Sequence, residues 1–148
     1  MLPVVVRSKR KRGCGDMTKK PALREERIRI YYPKTAAGKK QWNHRFSLNA
    51  YWSGKHHSER AEDAKYWHAI VWAALTEARV PKKTFERPAV ITFLWNDGLD
   101  IDNHAAMGKC ITDALKNRVI QNDSRRYLAG VEHYFHEEPY IEVIIREI

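Results

Sequence analysis

The sequence predicts a single α+β domain in the order β-α-β-α-β-β, with a mixed sheet of about four strands and two main helices. Three observations carry that prediction. The chain is 148 residues long. A chain of that length makes one domain and buries roughly 68 to 70% of its unfolded surface, so neither disulfides nor a structural metal is needed. Two segments carry the three-and-four spacing of apolar residues that marks an amphipathic helix, and they alternate with short runs of strand character. The last two of those runs are separated by Glu137, Glu138 and Pro139, a link short enough to predict that they pair antiparallel.

Taken in order, residues 1–25 hold seven basic residues in the first twenty, with Gly13, Gly15 and Pro21 and no periodicity. They read as a mobile basic arm ahead of a domain spanning 26–148. Arg27 to Tyr32 alternates charged and apolar residues, which fits a first strand. Pro33 to Ser58 is basic and aromatic, and it reads as a long connection, functional or disordered. From Glu59 to Arg79, Ala64, Trp67, Ile70, Val71, Ala74, Leu75 and Ala78 recur at helical spacing, with Ser58 as candidate N-cap. Ala89 to Trp95 is a buried strand. A turn at Asn96, Asp97 and Gly98 then leads into Leu99-Asp100-Ile101-Asp102-Asn103. The second helix, Asn103 to Lys116, turns Met107, Cys110, Ile111, Ala114 and Leu115 inward. Strands follow over Leu128–His136 and Tyr140–Arg146.

Charge narrows the function classes. Twenty-seven Lys and Arg against 18 Asp and Glu give +9, split as +12 over residues 1–60 and −3 over the rest. A basic front half suits a polyanion, most often nucleic acid. Acids gathered in the other half would repel the same partner, and a cation bridging carboxylate to phosphate resolves that conflict. No apolar run approaches the ~20 residues of a membrane span. The apolar Val4 to Val6 precedes Arg7, Lys9, Arg10, Lys11 and Arg12, the reverse of a secretory signal. With two cysteines and no CxxC, the sequence points to a reducing, cytoplasmic setting.

Asp100 and Asp102 are the candidate chemistry. In an extended segment residues i and i+2 point the same way, so both carboxylates converge on one cation. The same residues also serve as an ordinary acidic turn with Asp102 or Asn103 as N-cap. Asp123 joins by reach. A helix over 103–116 is roughly 21 Å long, and the seven residues Asn117 to Asp123, if extended, return roughly 23 Å. Three hard carboxylates suit Mg²⁺ or Mn²⁺ and not zinc. Lys109, two helical turns beyond Asp102, contacts a phosphate or pairs with a carboxylate.

Four stretches now resemble a known family, the RusA-type Holliday junction resolvases. They are Ser47-Leu48-Asn49-Ala50-Tyr51 with Glu62 to Trp67, Leu99 to Asn103, Lys109 with Asp113-Ala114-Leu115, and Asn122-Asp123-Ser124. They stand in the family's order and span roughly residues 26–147. The resemblance implies a Mg²⁺-dependent, homodimeric endonuclease that nicks opposed strands of a four-way DNA junction in recombination and repair, encoded by a bacterium, phage or prophage. It implies Asp100, Asp102 and Asp123 as catalytic metal ligands and Lys109 as a supporting lysine. The chain departs from the family in a segment about three residues longer between Asn103 and Lys109, and in Asn122 where a second aspartate often stands. The alternative is a non-catalytic DNA-binding or junction-binding protein whose aspartates only cap a helix.

Lys39, Lys40, Arg45, Asn49 and Lys55, with Arg125 and Arg126 beyond Asp123, are candidate DNA contacts. Trp42, Tyr51 and Trp52 among lysines suit stacking on unpaired bases or packing of the loop onto the domain. The arm and this aromatic loop also suit RNA. None of the seven histidines has HExxH spacing, and His133 and His136 fall on opposite faces of one strand.

Overall fold

The computed structural model describes residues 22–148. The basic arm expected over 1–25 therefore lies outside the described residues as far as residue 21. Arg24 already belongs to the fold. Its backbone N–H donates to Glu147 Oε2 at 3.0 Å, and its guanidinium lies 4.5 Å over the Phe85 ring.

The elements are β1 (Glu25–Tyr31), α1 (Ala36–Phe46), α2 (Leu48–Trp52), α3 (His57–Glu77), β2 (Ala89–Trp95), α4 (Ala105–Leu115), β3 (Leu128–Phe135) and β4 (Tyr140–Glu147). A 3₁₀ turn, Ile101–His104, precedes α4. The sheet order is β1-β4-β2-β3, with β1/β4 and β4/β2 antiparallel and β2/β3 parallel. This is the mixed four-stranded α+β sheet expected. The expected pairing of β3 with β4 is corrected, because β2 lies between them. Four residues, His136 to Pro139, bridge two strand spacings of ~4.8 Å each, well within reach of an extended link. The link is fastened across the end of β2, where His136 N–H donates to Trp95 O at 3.1 Å and Asn96 Nδ2 to Glu138 O at 3.0 Å.

The core lies between the sheet and helices on one face. Ile28, Ile30, Ile91, Phe93, Trp95, Ile141, Val143 and Ile145 meet Trp67, Val71 and Leu75 of α3 and Met107, Ile111 and Leu115 of α4. The opposite face carries charge pairs, Arg27 with Glu142 at 3.8 Å and Arg146 with Glu132 at 3.5 Å, and solvates the sheet on that side. Among the described residues no helix is long and apolar enough to cross a membrane.

Pro33 to Ser58 is not the long loop that its composition suggests, for it holds α1 and α2. Thr35 Oγ1 accepts from Gly38 N–H at 3.0 Å and starts α1. Gly38 is required there, because a Cβ would stand 2.8 Å from the Pro33 side chain and 2.9 Å from Thr35 Oγ1. Trp42 and Phe46, four residues apart, then pack edge-on against Trp67 at 5.2 and 5.0 Å. Ser47 closes α1 and caps α2, its Oγ accepting from Ala50 N–H at 3.3 Å. The N-cap of α3 is His56 and not Ser58: its Nδ1 accepts from Ser58 N–H at 3.2 Å.

Helix α3 ends in a Schellman motif. Arg79 N–H donates to Thr76 O and Val80 N–H to Leu75 O, both at 3.0 Å, while buried Val80 covers the last turn. Arg79 has φ of +56°, a left-handed conformation that disfavours a Cβ. Arg79→Gly is expected to stabilise the domain by about 0.5–1 kcal/mol, the relieved strain being partly offset by a more flexible unfolded chain. A urea melt that gave a lower midpoint for this variant would reject the account.

Candidate functional site

β2 ends at Trp95, five residues before Asp100. Gly98 at φ +80° turns the chain, and Leu99 N–H donates to Asp97 Oδ1 at 3.0 Å. Asp100, at φ −63° and ψ 154°, opens the 3₁₀ turn, and Asn103 N–H donates back to its carbonyl at 3.0 Å. The strand alternation expected to aim both carboxylates alike is thus replaced by a turn of three residues, in which each residue is rotated about 120° from the last. Asp100 and Asp102 are exposed, and among the described residues neither carboxylate has a hydrogen-bond or ion-pair partner.

The turn is braced from within. His104 is fully buried, stacked on Trp95 with centroids 4.4 Å apart, and its Nε2 lies 2.8 Å from both carboxylate oxygens of Asp97. Its Nδ1 lies 3.2 Å from Ile101 O. Trp95 Nε1 donates to His133 Nδ1 at 3.0 Å, and burial, with His104 beside it, pushes the His133 imidazole below its ordinary value. Residues 97–104 therefore form a closed loop whose outer side presents Asp100 and Asp102.

Asp123 sits against α4. Its Oδ2 lies 3.1 Å from Lys116 Nζ and 3.9 Å from Lys109 Nζ, and both lysines also pair with Asp113 at 3.0 Å. The Lys116 and Asp123 side chains favour each other's charge: bonding to Asp113 first and Asp123 second raises the lysine, and bonding to Lys116 lowers the Asp123 carboxyl. The extended return from Asn117 to Asp123 is not what forms. Asn117, at φ +61°, starts a tight turn in which its N–H donates to Ile120 O, and Val119 and Ile120 bury themselves under the helix end. The short stretch that remains places Asp123 along α4, between Lys109 and the C-cap Lys116, lining a pocket with Ala105, Gly108 and Thr112. Lys109 takes the carboxylate partner of its two expected options. Lys116 carried no signal in the sequence; its part follows from the Asn117 turn.

Among the described residues, no three His, Cys, Asp or Glu side chains stand close enough together to hold a metal ion. The donors fit Mg²⁺ or Mn²⁺ in part: Asp100 and Asp102 are hard, exposed oxygen ligands, whereas Asp123 is engaged by lysine.

Beside this loop lies a basic cleft of about 600 Å³ lined by His44, Arg45, Asn49, Ser53, Lys55 and His56, with Glu59 at its rim. Asp63, 1% exposed, organises its floor. Arg45 Nε donates to Asp63 at 2.8 Å, Tyr51 Oη at 3.3 Å, and Lys55 Nζ pairs with it while donating to Arg45 O at 2.6 Å. Of the expected DNA contacts, Lys55 is thus largely buried and committed, and Arg45 is half-exposed and shared. Lys39, Lys40, Arg125 and Arg126 are exposed, and Asn49 lies at the cleft. The expected aromatic trio separates: Trp42 is core, Tyr51 is tied to Asp63 and Cys110, and Trp52 is exposed. Burial, then Cys110 and Asp63, push the Tyr51 phenol above its usual range.

The separated stretches of sequence meet here. Asn49 N–H donates to Asn103 Oδ1 at 3.1 Å, and Tyr51 Oη lies 3.7 Å from Cys110 Sγ, next to Lys109. No family model matches the chain, and no curated protein matches it. A functional reading therefore stands on these residues and their geometry.

Proposed function

We propose that the chain is a Mg²⁺-dependent, structure-selective DNA endonuclease resembling the RusA-type resolvases, acting on four-way junctions as a homodimer, with Mn²⁺ as an alternative ion. One observation carries the reading. The stretches of the resemblance, scattered from residue 47 to 124, come together in two contacts, Asn49 with Asn103 and Lys109 with Asp123, and Tyr51 reaches Cys110 beside Lys109. A short helix, a strand-end turn and a helix face thus meet beside one cleft.

In this reading Asp100 and Asp102 hold the cation. A bound Mg²⁺ supplies charge stabilisation at the scissile phosphate and a water of lowered pKa. The chain's own groups do the rest. Asp63 fixes Arg45 and Lys55 under the cleft, the exposed Lys39, Lys40, Arg125 and Arg126 attract the backbone, and Lys109 and Lys116 hold positive charge around Asp123.

A non-catalytic junction-binding protein is the second reading, favoured by the pairing of Asp123 with lysines instead of with Asp100 and Asp102. Cleavage of a labelled four-way junction with and without Mg²⁺, against linear duplex, separates the two. Paired nicks dependent on Mg²⁺ are the expected result. Tight junction binding without cutting in Mg²⁺ or Mn²⁺ would move the function to binding alone.

A further inference from the structure

We infer that Trp52 stacks on an unpaired nucleobase of DNA whose backbone phosphate occupies the adjoining cleft. The inference rests on the DNA-directed reading above and adds to it the element that recognises unpaired strand.

Trp52 stands apart from the other tryptophans. Trp42, Trp67 and Trp95 are at most 5% exposed, and Trp72 anchors its indole N–H on Ala114 O, whereas Trp52 is 80% exposed. Among the described residues it has no aromatic, cation–π or hydrogen-bonding partner. Its mount is nonetheless fixed. Ser53 N–H and Oγ donate to Asn49 O at 3.0 Å and Ala50 O at 2.9 Å, Arg60 Nη2 donates to Tyr51 O at 3.3 Å, and Asn49 is tied to Asn103. A rigid support for a fully presented indole is what a stacking platform needs, since little order is lost when a base arrives.

The surroundings say which partner. The next residues, Ser53 and Gly54, line the cleft together with the half-exposed guanidinium of Arg45 and the imidazoles of His44 and His56. Asn49, Ser53 and Gly54, its neighbours in the chain, are exposed as well. One flat aromatic beside a groove that presents Arg45 and two imidazoles matches a nucleotide: a π face for the base and N–H donors for its phosphate. The same helix touches the turn bearing Asp100 and Asp102, so a base held here belongs to the strand passing that turn.

The test measures binding by the full-length chain in EDTA, so that it does not depend on cleavage. Wild type, Trp52→Ala and Trp52→Phe are titrated by anisotropy against labelled dT12, rU12 and a linear duplex. Trp52→Ala is expected to weaken dT12 binding by about 5- to 100-fold, to leave duplex binding within about twofold, and to abolish the quenching of exposed tryptophan emission. Trp52→Phe should retain most of the affinity. An unchanged melting temperature is expected of a residue this exposed, and confirms that folding is not the variable. No loss on dT12, or an equal loss on duplex, overturns the inference, as does tighter and equally Trp52-sensitive binding of rU12. Junction cleavage with Trp52→Ala binding dT12 normally would sink the stacking role alone. Trp52-dependent dT12 binding without any cleavage would sink only the endonuclease reading.

Discussion

Asp102→Asn is expected to lower Mg²⁺-dependent junction cleavage by at least about 10³-fold, the equivalent of roughly 4 kcal/mol of transition-state stabilisation, while junction binding is kept or tightened. The substitution preserves shape and removes charge. Asp102 is exposed and, among the described residues, unpartnered, so its loss breaks no internal contact. A charge kept bare beside a basic cleft weakens DNA binding by repulsion unless a cation neutralises it, and removing it should relieve that repulsion. Asp100→Asn should behave alike. Asp123→Asn is the informative companion, because Lys116 and Lys109 hold its carboxylate. If cleavage falls as far as with Asp102→Asn, the DNA-bound state transfers Asp123 from lysine to the ion. Lys116 holds the Asp123 carboxyl below its ordinary value. The stability from that pairing is therefore present through the neutral range, and it is lost as pH falls through the folded-state value. Gel cleavage and metal-free binding assays on one set of variants measure both effects, and an Asp102→Asn enzyme that cuts at the wild-type rate would remove this residue from the site.

Much of this arrangement was legible in the chain, and the illegible parts have physical reasons. The two main helices and all four strands carry their periodicity openly. The strand order was legible only in part. Ala89 to Trp95 is apolar throughout and takes the centre, and the charged Glu25–Tyr31 takes an edge. Tyr140–Glu147 carries three charged residues and Leu128–Phe135 one, yet the former is central and the latter an edge, so polarity did not distinguish them and the short link suggested a hairpin. Helix α1 escaped notice because only Trp42 and Phe46 mark its inner face and Gly38 sits in its first turn. The signal was the pair four apart behind Thr35. At the site, Asp100, Asp102 and Lys109 were readable as types in a spacing. Lys116 was not, since its part depends on the turn that the left-handed Asn117 makes; Asn is the non-glycine residue best suited to that conformation, and it marks the helix end but not where the chain goes next. Nor were Asp97 and His104, seven residues apart across a 3₁₀ turn, a pair that becomes meaningful only once both are buried.

That pair carries the largest stability effect expected outside the apolar core. The ring nitrogens of His104 lie 2.8 Å from the Asp97 carboxylate oxygens and 3.2 Å from Ile101 O, inside a site where His104 is 0% and Asp97 2% exposed at the side chain. Removing one partner strands the other. Asp97→Ala is therefore expected to cost about 1–3 kcal/mol, a fall in melting temperature of roughly 2–10 °C for a domain of this size. Leu99 N–H loses its acceptor as well. The double variant Asp97→Ala/His104→Leu should be less destabilised than the sum of its singles, because an apolar pair leaves no buried polar group without a partner. Near-ultraviolet circular dichroism follows the Trp95–His104 stack through the same melts. Since this pair closes the loop of residues 98–103 from within, cleavage should suffer in Asp97→Ala more than DNA binding, measured below the variant's own melting range. A loss of under about 1 kcal/mol would mean that the pair is solvated in solution, and that the acidic turn is positioned instead by Asn103 and its contact with α2.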